Sequence, residues 1–183
     1  VGHSTTGTLS TCTNNTGVGI DAMDAITSGD NNVAVGNGSL SANTTGHSNV
    51  MIGSKAGKYM STSTSYNVGV GQQALEDLGA STTVALGNIA VGHHAFRNIT
   101  SGDYNIGLGY TIGGTLTTGS GNVIIGSGID TAAADSARTL QIAGYDGSTT
   151  TTWISGDNSG NLTFAADVTL GDDLVLDSDS CVL

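Results

Sequence analysis

His93-His94 is the pair of adjacent side chains best suited to hold a metal ion. Imidazole nitrogens are common zinc ligands. Adjacent residues on a strand point to opposite faces, however, so one chain is not expected to close both rings on one ion. His3 and His47 stand alone in polar turns. Asp157-Asn-Ser-Gly has the opening of a calcium loop, but the further acids and terminal Glu of such a loop do not follow. Asp172, Asp173, Asp177 and Asp179 form an acidic run, for which solvated acidity is the simpler expectation than a cation site. Ser, His and Asp side chains are all present, yet no Gly-x-Ser-x-Gly elbow presents a nucleophile. No carboxylate pair is placed by a recognisable motif. Gly107-Leu-Gly109 and its kin have no following helix to hold a phosphate. Cys12 and Cys181 sit near opposite ends without a CxxC pair, and are expected as free thiols. Asn14, Asn37, Asn43, Asn98 and Asn161 begin Asn-x-Ser/Thr sequons, a by-product of Asn- and Thr-rich turns. No residue is therefore assigned a catalytic, cofactor-binding or metal-binding role, and the expectation is a protein that is not an enzyme.

The elements that carry these residues follow from composition and period. The 183 residues include 29 Gly and no Pro, with charged residues at 10% and aromatics at 4%. A thick core built on Leu, Phe and Trp is not supported. Collagen is excluded, because Gly has no three-residue period and Pro is missing. A mean hydropathy of +0.06 argues against simple disorder. Four Lys and Arg face 15 Asp and Glu, for a net charge of −11, so the basic footprint of a nucleic-acid binder is absent. Residues 1–126 carry six acids and three bases, and residues 127–183 carry nine acids and one base, so the chain changes character near residue 127. No apolar run approaches the ~18 residues of a membrane span.

One motif dominates: Asn, apolar, any, apolar, Gly. Full copies begin at Asn32, Asn49, Asn67, Asn88, Asn105 and Asn122, with a weaker one at Asn15. Their closing glycines are Gly19, Gly36, Gly53, Gly71, Gly92, Gly109 and Gly126, at intervals of 17, 17, 18, 21, 17 and 17 residues. Val1-Gly2 has the place of an earlier copy, so the chain is expected to begin inside a repeat and to be a segment of something longer. The long interval holds a partial copy, Thr83-Val-Ala-Leu-Gly87, expected as an insertion. After each motif comes a small-apolar pair, such as Ser39-Leu40 or Ala95-Phe96, and then a turn such as Thr44-Thr-Gly-His47.

Helical solenoid repeats run ~33–47 residues. Seventeen is too short for those. It suits two short strands and two turns, one coil of a parallel β-roll or β-solenoid. Each Gly can take positive φ and turn the chain, and the asparagines can stack into a side-chain ladder. About eight coils at ~4.8 Å each would make a rod on the order of 40 Å long. On this reading the first and third strand positions fill the interior. The middle positions Ala34, Met51, Gly69, Ala90, Gly107 and Ile124 then point outward. None of these is polar, and a strand apolar on both faces is covered on both. The middle positions are therefore the expected chain–chain interface of a homo-oligomer, with a trimer favoured.

The Asn-Val-Ala-Val-Gly unit, followed by a small-apolar pair and Thr-Thr-Gly, resembles the head repeats of trimeric autotransporter adhesins of the YadA type. It resembles more closely the related repeats of phage tail fibres, whose coils are longer than the 14 residues typical of the adhesins. The resemblance covers residues 1–126. The stretch from Asn161 to Ser180 resembles segments of tail-fibre proteins from marine phages. What this implies is an all-β, left-handed parallel β-roll, an intertwined or side-by-side homotrimer, and a fibrous virion appendage that attaches to a host-surface receptor. The alternatives are a bacterial cell-surface adhesin head, or a subunit of an extracellular filament or sheath. No enzymatic residues come with the resemblance, and no cofactor, nucleic-acid partner or membrane insertion is expected.

The roll is expected over 1–129, a linker over 130–138 and a small β domain or fibre transition element over 139–183. Within the last, Thr139–Ala143, Thr151–Ser155, Asn161–Ala165, Asp167–Leu170 and Leu174–Leu176 read as strands, with a hairpin turn at 156–161. Trp153 and Phe164 flank that turn and are expected to pack together.

Overall fold

A computed structural model of the chain describes residues 12–61, 63–80 and 84–166. Each Asn-apolar-any-apolar-Gly motif yields one three-residue strand: β1 (Thr16–Val18), β2 (Val33–Val35), β3 (Val50–Ile52), β4 (Val68–Val70), β5 (Ile89–Val91), β6 (Ile106–Leu108) and β7 (Val123–Ile125). Three longer or later strands follow: β8 (Leu140–Tyr145), β9 (Thr150–Gly156) and β10 (Leu162–Phe164). Among the described residues these strands lie in one 10-stranded sheet in chain order. Pairing is parallel from β1 to β8 and antiparallel from β8 through β10. Among the described residues there is no helix. The chain is thus an all-β solenoid with coils of about 17 residues.

Register is strict. Val33 pairs with Val50 and Val68 with Ile89, so the motif repeats in space as it does in sequence. The asparagines lock it. The side-chain Oδ1 of Asn88 accepts from the backbone N–H and the Nδ2 of Asn105, both at 3.0 Å. Its own Nδ2 donates to Asn67 Oδ1 at 3.1 Å and to the Gly102 carbonyl at 2.8 Å. The same scheme joins Asn15, Asn32, Asn49, Asn67, Asn105 and Asn122, and ends where Thr139 donates to Asn122 Oδ1. These amides sit in the interior from Asn32 onward, where an unmade hydrogen bond costs ~1–3 kcal/mol.

The closing glycines are required by both conformation and space. Gly36 has φ +130°, and a Cβ there would stand 2.5 Å from the Gly53 carbonyl oxygen of the next coil. A residue with a side chain meets strain and collision together at this corner.

Three expectations change. Among the described residues the second strand expected in each coil is absent; the chain there runs as turns. Leu40, Leu75 and Phe96 hold positive φ of 51°, 53° and 50°, which breaks the extended conformation that a strand needs. Coils still bond to one another on that side, as in Phe96 N–H to the Ile112 carbonyl at 3.0 Å.

The two faces of the strands are also reversed. Ala34, Met51, Ala90 and Ile124 are fully buried inside the coil, and Gly69 and Gly107 share their place. The interior is filled from the turned side by Leu40, Leu75, Phe96, Ile112 and Leu116, all fully buried. That leaves room for small residues at most middle strand positions. A Cβ on Gly107 would lie 2.5 Å from the Phe96 ring. The middle positions are thus core and cannot be a chain–chain surface.

Finally, residues 130–138 are a coil side and not a linker. Thr117 N–H donates to the Ala134 carbonyl at 2.9 Å, Ile129 is buried, and β8 begins one 17-residue step after β7. The hairpin turn at 156–161 is present, and Phe164 pairs with Ile154. The strand-like runs at Asp167–Leu170 and Leu174–Leu176, Cys181, the aspartates at 172–179 and Val1-Gly2 lie outside the described residues.

Candidate functional site: an apolar sheet face

Since the middle positions point in, the first and third positions point out. They read Val33 and Val35, Val50 and Ile52, Val68 and Val70, then Ile89 and Val91. Ile106 and Leu108, then Val123 and Ile125, follow, and in β1 the same two positions are Thr16 and Val18. Each is partly or well exposed, Leu108 at 50%. Two apolar rows therefore climb the sheet one coil at a time.

The rows do not stop where the repeat stops. Directly paired residues of neighbouring strands share a face. Val123 pairs with Leu140 and Ile125 with Ile142, which continues both rows into β8. Ile142 pairs with Ile154 and Ile154 with Phe164. Leu140 and Leu162 both oppose Gly156. The strand direction reverses and the sequence pattern vanishes, yet the apolar face is kept. Leu162 is 58% exposed and Phe164 46%. From β1 to β10 no position on these rows is charged. At ~4.8 Å per strand and ~10 Å across, the face covers on the order of 450 Å². A continuous apolar patch of that order matches the largest patch on a typical monomer, and such a patch is often functional.

A polar-tipped rim borders it. Tyr66 and Tyr104 precede the ladder asparagines, and Tyr110 follows a closing glycine; each is well exposed. Tyr66 meets His47 edge-on at 5.7 Å, and Tyr110 stacks on His93 at 5.1 Å. An apolar centre with an aromatic and polar margin is the anatomy of protein–protein interfaces. At the end of the sheet, a β-bulge between Ile142 and Ala143 leaves Trp153 as the unpaired extra residue of β9, 55% exposed and lying over Gly144. It does not pack on Phe164 as expected from sequence, because Phe164 pairs with Ile154 and the Trp153 ring lies against Gly144 of β8.

The histidine pair lies at the corner after β5. His93 and His94 stack with ring centroids 3.7 Å apart and planes 26° apart, since His94 adopts φ +55° and neither residue is on a strand. The expected divergence to opposite faces does not hold. Stacked rings set their in-plane lone pairs side by side, which does not converge them on one ion. Among the described residues no three His, Cys, Asp or Glu side chains group as metal ligands.

His94 opens a chain of polar contacts that spacing did not reveal. Its Nε2 lies 2.6 Å from Gln73 Oε1, Gln73 Nε2 donates to Glu76 at 2.5 Å, and Arg97 Nε donates to Glu76 at 2.7 Å. Glu76 is almost fully buried. Desolvation, then His93 and Arg97, hold the His94 imidazole below its ordinary 6.5, against Glu76. Burial and the neighbouring Glu76 raise the Asp77 carboxyl, against Arg97. The signal for this network is present in the sequence. Gln73, Glu76, His94 and Arg97 are residues two and five after successive closing glycines. Cys12 is a free thiol.

No protein-family model, no curated protein and no solved structure matches this chain. Among the described residues no helix is long and apolar enough to cross a membrane.

Proposed function

We propose that this chain is a structural segment of a homotrimeric fibre, of the phage tail-fibre kind, that holds an attachment tip toward a host surface. The observation that carries the reading is the apolar face running from β2 through β10 of the sheet. A solitary chain would leave that face in water along its whole length. Copies placed side by side, stripe to stripe, bury it, and the required contact is the same at every coil. The stacked coils supply the stiffness. Each coil is held to the next by backbone bonds and by the asparagine ladder, so bending must strain both. The repeat's resemblance to trimeric tail-fibre and adhesin modules favours three copies and a surface-exposed setting.

The test is mass in solution. Light scattering should give about three times the 18.1 kDa chain mass. Ile106→Asp places a charge on the outer row without touching the interior, and should yield a folded monomer. A wild-type monomer, or a trimer indifferent to Ile106→Asp and Val35→Asp, would refute the assembly. Adsorption of the labelled fibre to bacterial cells, displaced by the parent particle, tests attachment separately.

A further inference from the structure

On the turned side of the coils, side chains stack at coil spacing as the asparagines do on the strand side. The row five residues after each closing glycine reads Asp24, Ser41, Lys58, Glu76 and Arg97. Where opposite charges fall on adjacent rungs they meet, as Arg97 and Glu76 do at 2.7 Å. Asp24 and Lys58 are separated by one extra rung that carries only Ser41. Two rungs span about 10 Å, beyond direct ion pairing. The row two residues after the glycines repeats the arrangement as Asp21, Gly38 and Lys55. Among the described residues none of these four charged groups has an ion-pair partner.

The missing middle rung leaves a cleft of about 290 Å³. Two carboxylates form one wall, two ammonium groups the other, and Gly38, Ser41 and Ala42 the floor. The lysine wall is ordered: Lys58 Nζ sits 4.7 Å over the Tyr59 ring and 3.2 Å from its hydroxyl. On the opposite wall, Asp24 Oδ1 is shielded from solvent and has no hydrogen-bond partner. A carboxylate with one oxygen so placed carries an uncompensated charge, and a cation brought against its side of the cleft is favourable.

We infer that the cleft binds a zwitterionic group, its amine held by Asp21 and Asp24 and its phosphate or carboxylate by Lys55 and Lys58. Charge-assisted contacts of ~2.8 Å at each wall leave roughly 4–5 Å between the ligand's two charges, the span of a phosphoethanolamine unit. The cleft lies on the turned side, away from the apolar sheet face, so side-by-side assembly through that face leaves it open. The inference goes beyond the fibre reading and stands or falls without it.

Calorimetric titration of the full chain with O-phosphoethanolamine should show saturable binding at one site per chain. Inorganic phosphate alone and ethanolamine alone should each bind at least tenfold more weakly. Ser41→Arg inserts a guanidinium at the empty rung, where it can reach Asp24 as Arg97 reaches Glu76. It should abolish binding while leaving the thermal midpoint and the oligomeric mass unchanged. Asp24→Asn should weaken binding about tenfold and leave any affinity for phosphate alone intact. Phosphate binding as tightly as the zwitterion, no saturable binding at millimolar ligand, or full binding by Ser41→Arg would each overturn the proposal. Vesicles containing phosphatidylethanolamine separate the sources of the group. Capture by vesicles supports a lipid headgroup, and binding of the free compound without capture supports a glycan-borne or soluble one.

Discussion

The strand side and the turned side of each coil obey different rules. On the strand side every coil repeats its neighbour. Asn, two outward apolar residues and a closing Gly recur with little variation, because each must meet an identical partner one rung away. On the turned side only the backbone bonds and the inward residues are constrained. The residues five after each closing glycine change from coil to coil: Asp24, Ser41, Lys58, the buried Glu76, and Arg97. One side is thereby uniform enough to meet a long partner, and the other is varied enough to hold local chemistry.

The comparison breaks most visibly at a closing glycine. Gly92 has φ +133°, and a Cβ there would collide with the Gly109 carbonyl oxygen. Gly92→Val should cost about 3–5 kcal/mol, from a disfavoured backbone together with overpacking. Loss of cooperative thermal unfolding by circular dichroism is the expected result. A variant that melts within a few degrees of wild type would show that the coil corner is not fixed by steric fit. A Ser41→Ala change on the outward turned side, by contrast, should stay within ~0.5 kcal/mol.

The next effect in size sharpens how the two sides share one interior. Phe96 is fully buried and its ring fills the place that a side chain at position 107 would take. Phe96→Ala should cost about 3–5 kcal/mol, the usual loss for a buried aromatic ring. Gly107→Val alone should cost ~1–3 kcal/mol by overpacking. The double variant should recover part of the sum, because the valine enters the space the ring leaves. Strict additivity in a denaturant-unfolding cycle would show that the two residues do not compete for one volume.

Much of the fold was legible because Asn and Gly recur at one spacing for reasons that leave few alternatives. A buried amide ladder needs an amide at every rung, and the coil corner needs a residue without Cβ. The orientation of the strands was not legible from the strand motif, since both faces are apolar. Small middle residues such as Ala90 and Gly107 look like sites of close approach between chains, and close approach is indeed their role. The approaching group is Phe96 of the same chain. Reading the size of the turned-side residue against the middle strand residue would have settled the direction. The turns themselves were hidden for another reason. Leu40, Leu75 and Phe96 sit at positive φ, a conformation no local preference of Leu or Phe announces. It is imposed by coil-to-coil bonding and burial. The apolar face could not be followed past Gly126 in sequence, because antiparallel pairing in β8–β10 carries it by register alone.

The smallest effect concerns pH and belongs wholly to the turned side. His94 is held below its ordinary 6.5 by desolvation first and by the nearby His93 and Arg97 next, with Glu76 opposing. Its folded form therefore binds a proton less readily than the unfolded chain does. Stability from this group is fully present above about pH 6.5 and is lost as pH falls through that value toward the lower folded one. The Gln73–Glu76–Arg97 contacts adjoin the ring, so protonation also places a second cation near the Arg97 guanidinium. Between pH 7.5 and 5.5 the melting temperature should fall by a few degrees at most. His94→Gln should flatten that slope, while Ile106→Asp on the strand side should leave the pH slope of the monomer unchanged. A wild-type slope identical to that of His94→Gln would place the proton-sensitive element elsewhere.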